Sequence, residues 1–109
     1  MSNRLVRTMA AARILMGALV LCAGLARAQS GAEMYKAKCA ACHGADGHAS
    51  ALGKKLGARD FDSAEVQKES DGDLETVISQ GRNKMPAYKT LKQSEIKDLV
   101  AYIRTLGKK

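Results

Sequence analysis

The sequence predicts an all-α fold, and two observations support that prediction. Apolar residues near the C-terminus recur at the 3.6-residue spacing of an amphipathic helix, and no segment has the alternating pattern of a convincing strand. Glycines and polar residues divide the rest of the chain into short segments of helical character. Since no longer repeat is present, we expect one small domain of three to four helices.

Capping residues predict where two of these helices begin. The first begins after Ser30, a typical N-cap, and carries Glu33 in its first turn, where the helix dipole favours an acid. Another begins at Asp71 or Asp73, either of which can cap it, and ends at Gly81. Its apolar residues are Leu74, Val77 and Ile78.

The last helix has the clearest pattern. We expect it from Ser94 to Leu106, with Gly107 as a stop signal. An apolar face of helical spacing must cover another part of the molecule. The residues of that face are Ile96, Leu99, Val100, Ile103 and Leu106.

Residues 1–28 have the parts of a secretory signal peptide. Arginines precede an apolar run from Ile14 to Leu25, and a small-x-small cleavage site ends at Ala28. The run is too short to cross a hydrocarbon core of roughly 30 Å as a helix. We expect cleavage after Ala28, leaving a mature domain of residues 29–109 without a stable membrane anchor.

Two alternatives remain for this segment, an uncleaved anchor and lipid attachment at Cys22. Lipid attachment is disfavoured because Leu21, rather than a small residue, precedes the cysteine. Inside the apolar run, Cys22 is more simply a small hydrophobic residue.

The distribution of charge argues against nucleic acid as a partner. The formal net charge is +7, but four arginines and no acid lie in residues 1–28, so residues 29–109 carry +3. Acids and bases are interspersed with few aromatic residues, which is not the footprint of a nucleic-acid-binding protein. Lysines could steer an acidic partner or simply form a solvated surface. They are Lys54, Lys55, Lys84, Lys89 and Lys92.

The motif that carries chemistry is Cys39-Ala40-Ala41-Cys42-His43, the C-x-x-C-H pattern of covalent c-type haem attachment. On a helical turn, residues i and i+3 share a face, so both sulfurs can reach one edge of a porphyrin. The next residue, His43, then turns its imidazole toward the iron as an axial ligand. Haem c attached through Cys39 and Cys42 is therefore the expected cofactor.

Three other readings of the cysteine pair are weaker. A thioredoxin-like redox pair normally follows a strand, and a structural zinc site needs four ligands where only His48 is additionally available. A disulfide between Cys39 and Cys42 would close a very small loop and leave His43 unexplained.

Met85 is the expected second axial ligand. A thioether is a soft, neutral ligand that raises the reduction potential. Pro86, the single proline, fixes its own φ and restricts Met85 to extended conformations, which stiffens the loop. Simple core packing is the alternative for Met85. His48 is the rival ligand, unless it is an ordinary loop histidine.

Haem is also expected to complete the core. The mature domain has one Phe and no Trp, so it is marginally stable without added apolar area. Burial against the macrocycle would contribute about 1.5–3 kcal/mol for each large apolar side chain. The side chains expected there are Leu52, Leu56, Phe61, Ile78 and Leu91. We therefore expect the apo chain to be largely unfolded.

Three features together resemble class I cytochrome c over essentially all of residues 29–109. They are the haem motif followed by Gly44, the loop Met85-Pro86-Ala87-Tyr88, and the terminal helix segment Leu99-Val100-Ala101-Tyr102-Ile103. The resemblance implies a cytochrome c fold, in which helices wrap around one covalently attached haem. It also implies that the first and last helices cross near Gly31 and pack Tyr35 against Tyr102.

The chain departs from the family at one place. The family often has a proline after the haem motif, in the stretch whose carbonyl accepts the Nδ1 proton of the proximal histidine. Ser50-Ala51-Leu52 occupies that place here. We expect one of these carbonyls to orient His43.

The expected function is electron transfer rather than catalysis. Two protein ligands leave no open iron position, so we expect a monomeric periplasmic carrier that meets a redox donor and acceptor transiently. No acid–base pair, Ser-His-Asp set or phosphate loop indicates an enzyme. The alternatives are a dedicated haem subunit of an oxidoreductase and an open-site peroxidase or gas sensor.

Overall fold

The computed structural model describes residues 29–108, and within them the all-α prediction is confirmed. The predicted signal peptide, residues 1–28, lies outside the described residues. Between residues 29 and 108, no helix is long and apolar enough to span a membrane. The helices are α1 (Gly31–Lys38), α2 (Ala40–His43), α3 (Ala51–Lys55), α4 (Ala64–Lys68), α5 (Asp71–Gln80) and α6 (Gln93–Leu106).

The first helix begins where the sequence predicts. The Glu33 amide donates a hydrogen bond of 3.2 Å to the Ser30 hydroxyl, which confirms Ser30 as the N-cap of α1. Helix α6 begins at Gln93, one residue earlier than expected, and Gly107 follows its end. Four residues of the predicted apolar face, Ile96, Leu99, Val100 and Ile103, are buried, and the fifth, Leu106, is partly buried against the core.

The cap of α5 corrects a prediction. Ser70, rather than Asp71 or Asp73, is the N-cap, and its hydroxyl accepts from the Asp73 amide at 3.0 Å. The Asp73 carboxylate in turn accepts from the Ser70 amide at 3.1 Å, which completes a capping box. The Ser70 and Asp73 side chains together pair the backbone amides of both residues, whereas an aspartate cap alone would leave one amide unpaired.

Two short helices, α3 and α4, were not expected. Each has a serine N-cap, with the Gly53 amide donating to Ser50 and the Val66 amide donating to Ser63. Each has five residues, which is too short to show a helical period in the sequence.

The crossing of α1 with α6 forms the centre of the core. A Cβ atom on Gly31 would collide with the Asp98 carbonyl, so the two backbones can touch only at a glycine. The Tyr35 and Tyr102 rings lie 5.3 Å apart between centroids. Both findings confirm the crossing and the aromatic packing that the family resemblance implies.

The expected core is partly corrected. Phe61 and Ile78 are buried and Leu91 packs against the core, as expected. Leu52 is instead 54% exposed, whereas Leu56 is 40% exposed but lines the cavity described below, so its burial against haem stays a prediction. A helix as short as α3 can bury only one side, and the residue it buries is Gly53. Leu52 therefore lies on the solvent side.

Candidate functional site

One cavity of about 270 Å³ brings the predicted site residues together. Cys39, Cys42 and His43 line it, and so does Met85, which reaches it from a loop between α5 and α6. Most of the remaining wall is apolar. Its apolar side chains include Leu56, Phe61, Val66, Leu74, Val77, Ile78 and Ile103.

The haem motif lies on two nearly continuous helical turns. The Cys39 amide donates to the Tyr35 carbonyl at 2.8 Å, and the His43 amide donates to the Cys39 carbonyl at 2.9 Å. Cys39 joins α1 to α2 with φ −117°, so the helix bends at this cysteine. Local helical geometry thus turns Cys39, Cys42 and His43 to the same cavity.

Burial sets the electrostatics of this motif. It lowers the pKa of His43, which favours the neutral imidazole that can ligate a metal. Burial also raises the pKa of the Cys39 thiol to about 11, so this cysteine is a thiol at neutral pH. The His43 ring stacks on Phe61 with 5.0 Å between ring centroids.

The orientation of His43 corrects another expectation. Its Nδ1 atom is buried without a hydrogen-bond partner among the described residues, so no carbonyl of residues 50–52 accepts from it. The Leu52 carbonyl accepts from the Leu56 amide instead, because α3 uses it in its own hydrogen bonding. The Ser50 amide and hydroxyl are also engaged, donating to the Cys42 and Ala41 carbonyls.

Met85 is held by a tight turn. The Met85 amide donates to the Arg82 carbonyl at 2.9 Å, and the Arg82 amide donates to the Met85 carbonyl at 3.2 Å. Asn83, at the tip, has φ 53°, a left-handed conformation that asparagine tolerates better than most residues. Gly81 enters the turn at φ 77°, and a Cβ there would lie 2.7 Å from the Met85 carbonyl oxygen.

Tyr88 ties the Met85 loop to the haem motif. Its amide donates to the Ile78 carbonyl and its hydroxyl donates to the Lys38 carbonyl, both at 2.9 Å. Lys38 directly precedes Cys39, so one side chain connects the loop of Met85 to the Cys39–His43 motif. No local pattern near Tyr88 predicts this role, because Tyr88 and Lys38 are 50 residues apart in the sequence.

The cavity has the chemistry that haem requires. Thiol, imidazole and thioether groups meet within apolar walls, and cationic side chains suit the carboxylates of the macrocycle. These cationic residues are Lys38, Arg59, Arg82 and Lys84. His48 does not line the cavity; it is exposed, with Nε2 3.6 Å from an Asp62 carboxylate oxygen, which does not favour it as a rival ligand.

A family model described as cytochrome c oxidase, cbb3-type, subunit III matches residues 26–103. The chain belongs to this family of c-type cytochromes. The cytochrome is 36% identical over 85 residues to cytochrome c6 of Nostoc sp. (strain PCC 7120), an alignment that covers 72% of this chain and 68% of the relative.

Solved structures agree. The c-type cytochrome KustC0563 is 37% identical, with a TM-score of 0.67 over 73% of this chain and 100% of its own. A tyrosine-to-phenylalanine mutant of it is 36% identical, with a TM-score of 0.65 over 72% and 99%. The cytochrome therefore has the cytochrome c fold, binds covalently attached haem c, and is an electron-carrier haem protein with redox partners.

Proposed function

We propose that this cytochrome is a monomeric periplasmic electron carrier, attached to its haem through Cys39 and Cys42, with His43 and Met85 as axial ligands. The observation that carries the proposal is the single cavity lined by these four side chains. Bound there, haem supplies reversible one-electron chemistry between Fe(II) and Fe(III).

The protein's own residues set the conditions for that chemistry. Burial lowers the pKa of His43, which favours its neutral form, and the thioether of Met85 carries no proton. Apolar side chains from α4, α5 and α6 line the cavity and would limit the access of water to bound haem. With both iron positions taken by side chains, no substrate is bound at the metal, which supports a carrier rather than an enzyme.

Export is part of the proposal. Residues 1–28 have the pattern of a cleavable signal peptide, and cleavage after Ala28 would release residues 29–109 into the periplasm. Donor and acceptor would then dock transiently. Lysines beside the cavity favour acidic partners, and Leu52 provides an exposed apolar contact close to Lys54 and Lys55.

Absorption spectra of the purified holoprotein test the ligand assignment. We expect the oxidised and reduced protein to be low-spin and the reduced spectrum to be indifferent to carbon monoxide. Met85→Ala should open the sixth position, so that carbon monoxide binds and the reduction potential falls by on the order of 0.1 V. Leu56→Ala, which alters a cavity wall without removing a ligand, is the matched control. Ready binding of carbon monoxide by the wild-type protein would replace the carrier with an open-site peroxidase or sensor.

A fixed haem subunit is the second candidate. It is favoured by the description of the matched family, which names an oxidase subunit. Fractionation separates the two functions. A carrier is released with the periplasmic extract, whereas a subunit remains with the membranes after a high-salt wash and migrates with an oxidase.

A further inference from the structure

The turn that carries Met85 is also held by an ion pair with a residue outside the turn. The Arg82 guanidinium donates from Nη1 to a Glu69 carboxylate oxygen at 2.7 Å. We propose that Glu69 is a positioning residue for Met85: through Arg82 it holds the thioether in the cavity and so sets how easily another ligand displaces it. This inference rests on the proposed role of Met85 as an axial ligand.

The backbone transmits the anchor from Arg82 to Met85. These two residues exchange both of their backbone hydrogen bonds, at 2.9 and 3.2 Å. Residues paired in this way move together, so a constraint on the Arg82 side chain also restrains the Met85 backbone. The remaining turn residues, Asn83 and Lys84, are exposed.

Glu69 is itself fixed to the best-packed part of the molecule. Arg104, on α6, donates from Nη2 to the Glu69 carbonyl and from Nε to the Asp71 carboxylate at 2.9 Å. Arg104 also donates from Nη1 to the Val66 carbonyl. The segment between α4 and α5 is thereby tied to the terminal helix, and the backbone from which the Glu69 side chain reaches Arg82 is held in place.

Burial distinguishes this ion pair from a comparable one. The Glu69 side chain is 22% exposed and lines the cavity. The pair Arg59–Glu65 has a similar separation, 2.9 Å, and Arg59 lines the same cavity, but the Glu65 side chain is 67% exposed. Water and salt screen the exposed pair more strongly. Arg59 also lies outside the Met85 turn, so Arg59–Glu65 is a matched control.

The test compares Glu69→Gln with Glu65→Gln in the holoprotein. Imidazole, which must displace Met85 to bind the ferric iron, is titrated spectroscopically, and the reduction potential is measured alongside. We expect Glu69→Gln to lower the half-saturating imidazole concentration about fivefold, the effect of losing one partly buried ion pair. Glu65→Gln should leave it unchanged. Glu69→Asp, which is too short to reach Arg82, should behave like Glu69→Gln.

A double-mutant cycle assigns the effect to the pair. Arg82→Gln should match Glu69→Gln, and the double variant should add nothing further. The proposal is overturned if Arg82→Gln eases imidazole binding and Glu69→Gln does not. It is also overturned if Glu69→Gln and Glu65→Gln ease imidazole binding equally.

Met85→Ala separates failure of the ligand assignment from failure of the role of Glu69. If it does not ease imidazole binding, the ligand assignment fails; if it does while Glu69→Gln has no effect, only the role of Glu69 fails.

Discussion

The two segments that face each other in the haem cavity are built in opposite ways. Residues 39–43 continue a helix whose Met34 and Tyr35 are 1% exposed, and the spacing of the motif alone turns its side chains to one side. Met85 lies on a partly exposed loop, and a tight turn, a tyrosine hydroxyl and an ion pair hold it. The first segment is therefore part of the core, whereas the second is attached to it at a few points.

This contrast has thermodynamic consequences. Loss of a core contact is felt in global stability, whereas loss of a loop contact changes the local opening equilibrium. We expect substitutions on the haem-motif side to change the free energy of unfolding. Substitutions in the Met85 loop should change ligand exchange and the reduction potential more than stability.

Removing both attachment sulfurs should have the greatest effect. With Cys39→Ser and Cys42→Ser together, no covalent haem can form, and a domain with one Phe and no Trp lacks the apolar area to fold. Circular dichroism should show an unfolded purified chain without haem. A helical, cooperatively unfolding double variant would contradict this expectation and show that α1 and α6 are sufficient as a core.

Substitution at the crossing of α1 with α6 should have the next largest effect on stability. Gly31→Val places side-chain atoms against the Asp98 carbonyl, so we expect a loss of about 3 kcal/mol in the free energy of unfolding. The absorption spectrum of the folded holoprotein should not change, because neither iron ligand moves. Denaturant unfolding measures the loss, and Ala32→Val, at an exposed neighbouring position, is the control. Equal stabilities of these two variants would mean that the crossing is not close.

A substitution in the Met85 loop should lower the free energy of unfolding by less. Gly81→Ala forces a side chain into φ 77° and against the Met85 carbonyl, at a cost of about 1 kcal/mol in stability. If Met85 is the proposed iron ligand, the charge-transfer band of a methionine–iron bond should weaken in the same variant. Gly57→Ala has a comparable backbone strain at φ 85° without any neighbour, so it should leave that band intact. If both variants weaken the band equally, the turn does not position Met85.

The sequence was informative wherever the signal is local. The Ser30 cap and the face of α6 each depend on residues within a few positions of one another, and the structure has them as predicted. Short elements gave weaker signals. Helices α3 and α4 have too few residues for a period, and so the exposure of Leu52 was not foreseen.

Contacts between distant residues needed the tertiary structure. Nothing near Tyr88 indicates the Lys38 carbonyl, and nothing near Glu69 indicates Arg82, because each pair meets only after the helices have packed. The unpaired Nδ1 of His43 has the same origin, since α3 uses the nearby Leu52 carbonyl for its own hydrogen bonding.

Residue types and their spacing alone predict the helical class, the attachment cysteines, the haem cofactor and Met85 as a ligand. Those inferences rest on short-range geometry, which a helical turn sets independently of the rest of the chain. The gathering of His43 and Met85 into one cavity, and the anchoring of the Met85 loop through Glu69, depend on how α1, α5 and α6 pack. Packing is a property of all the buried surfaces together, and no local pattern in the chain encodes it.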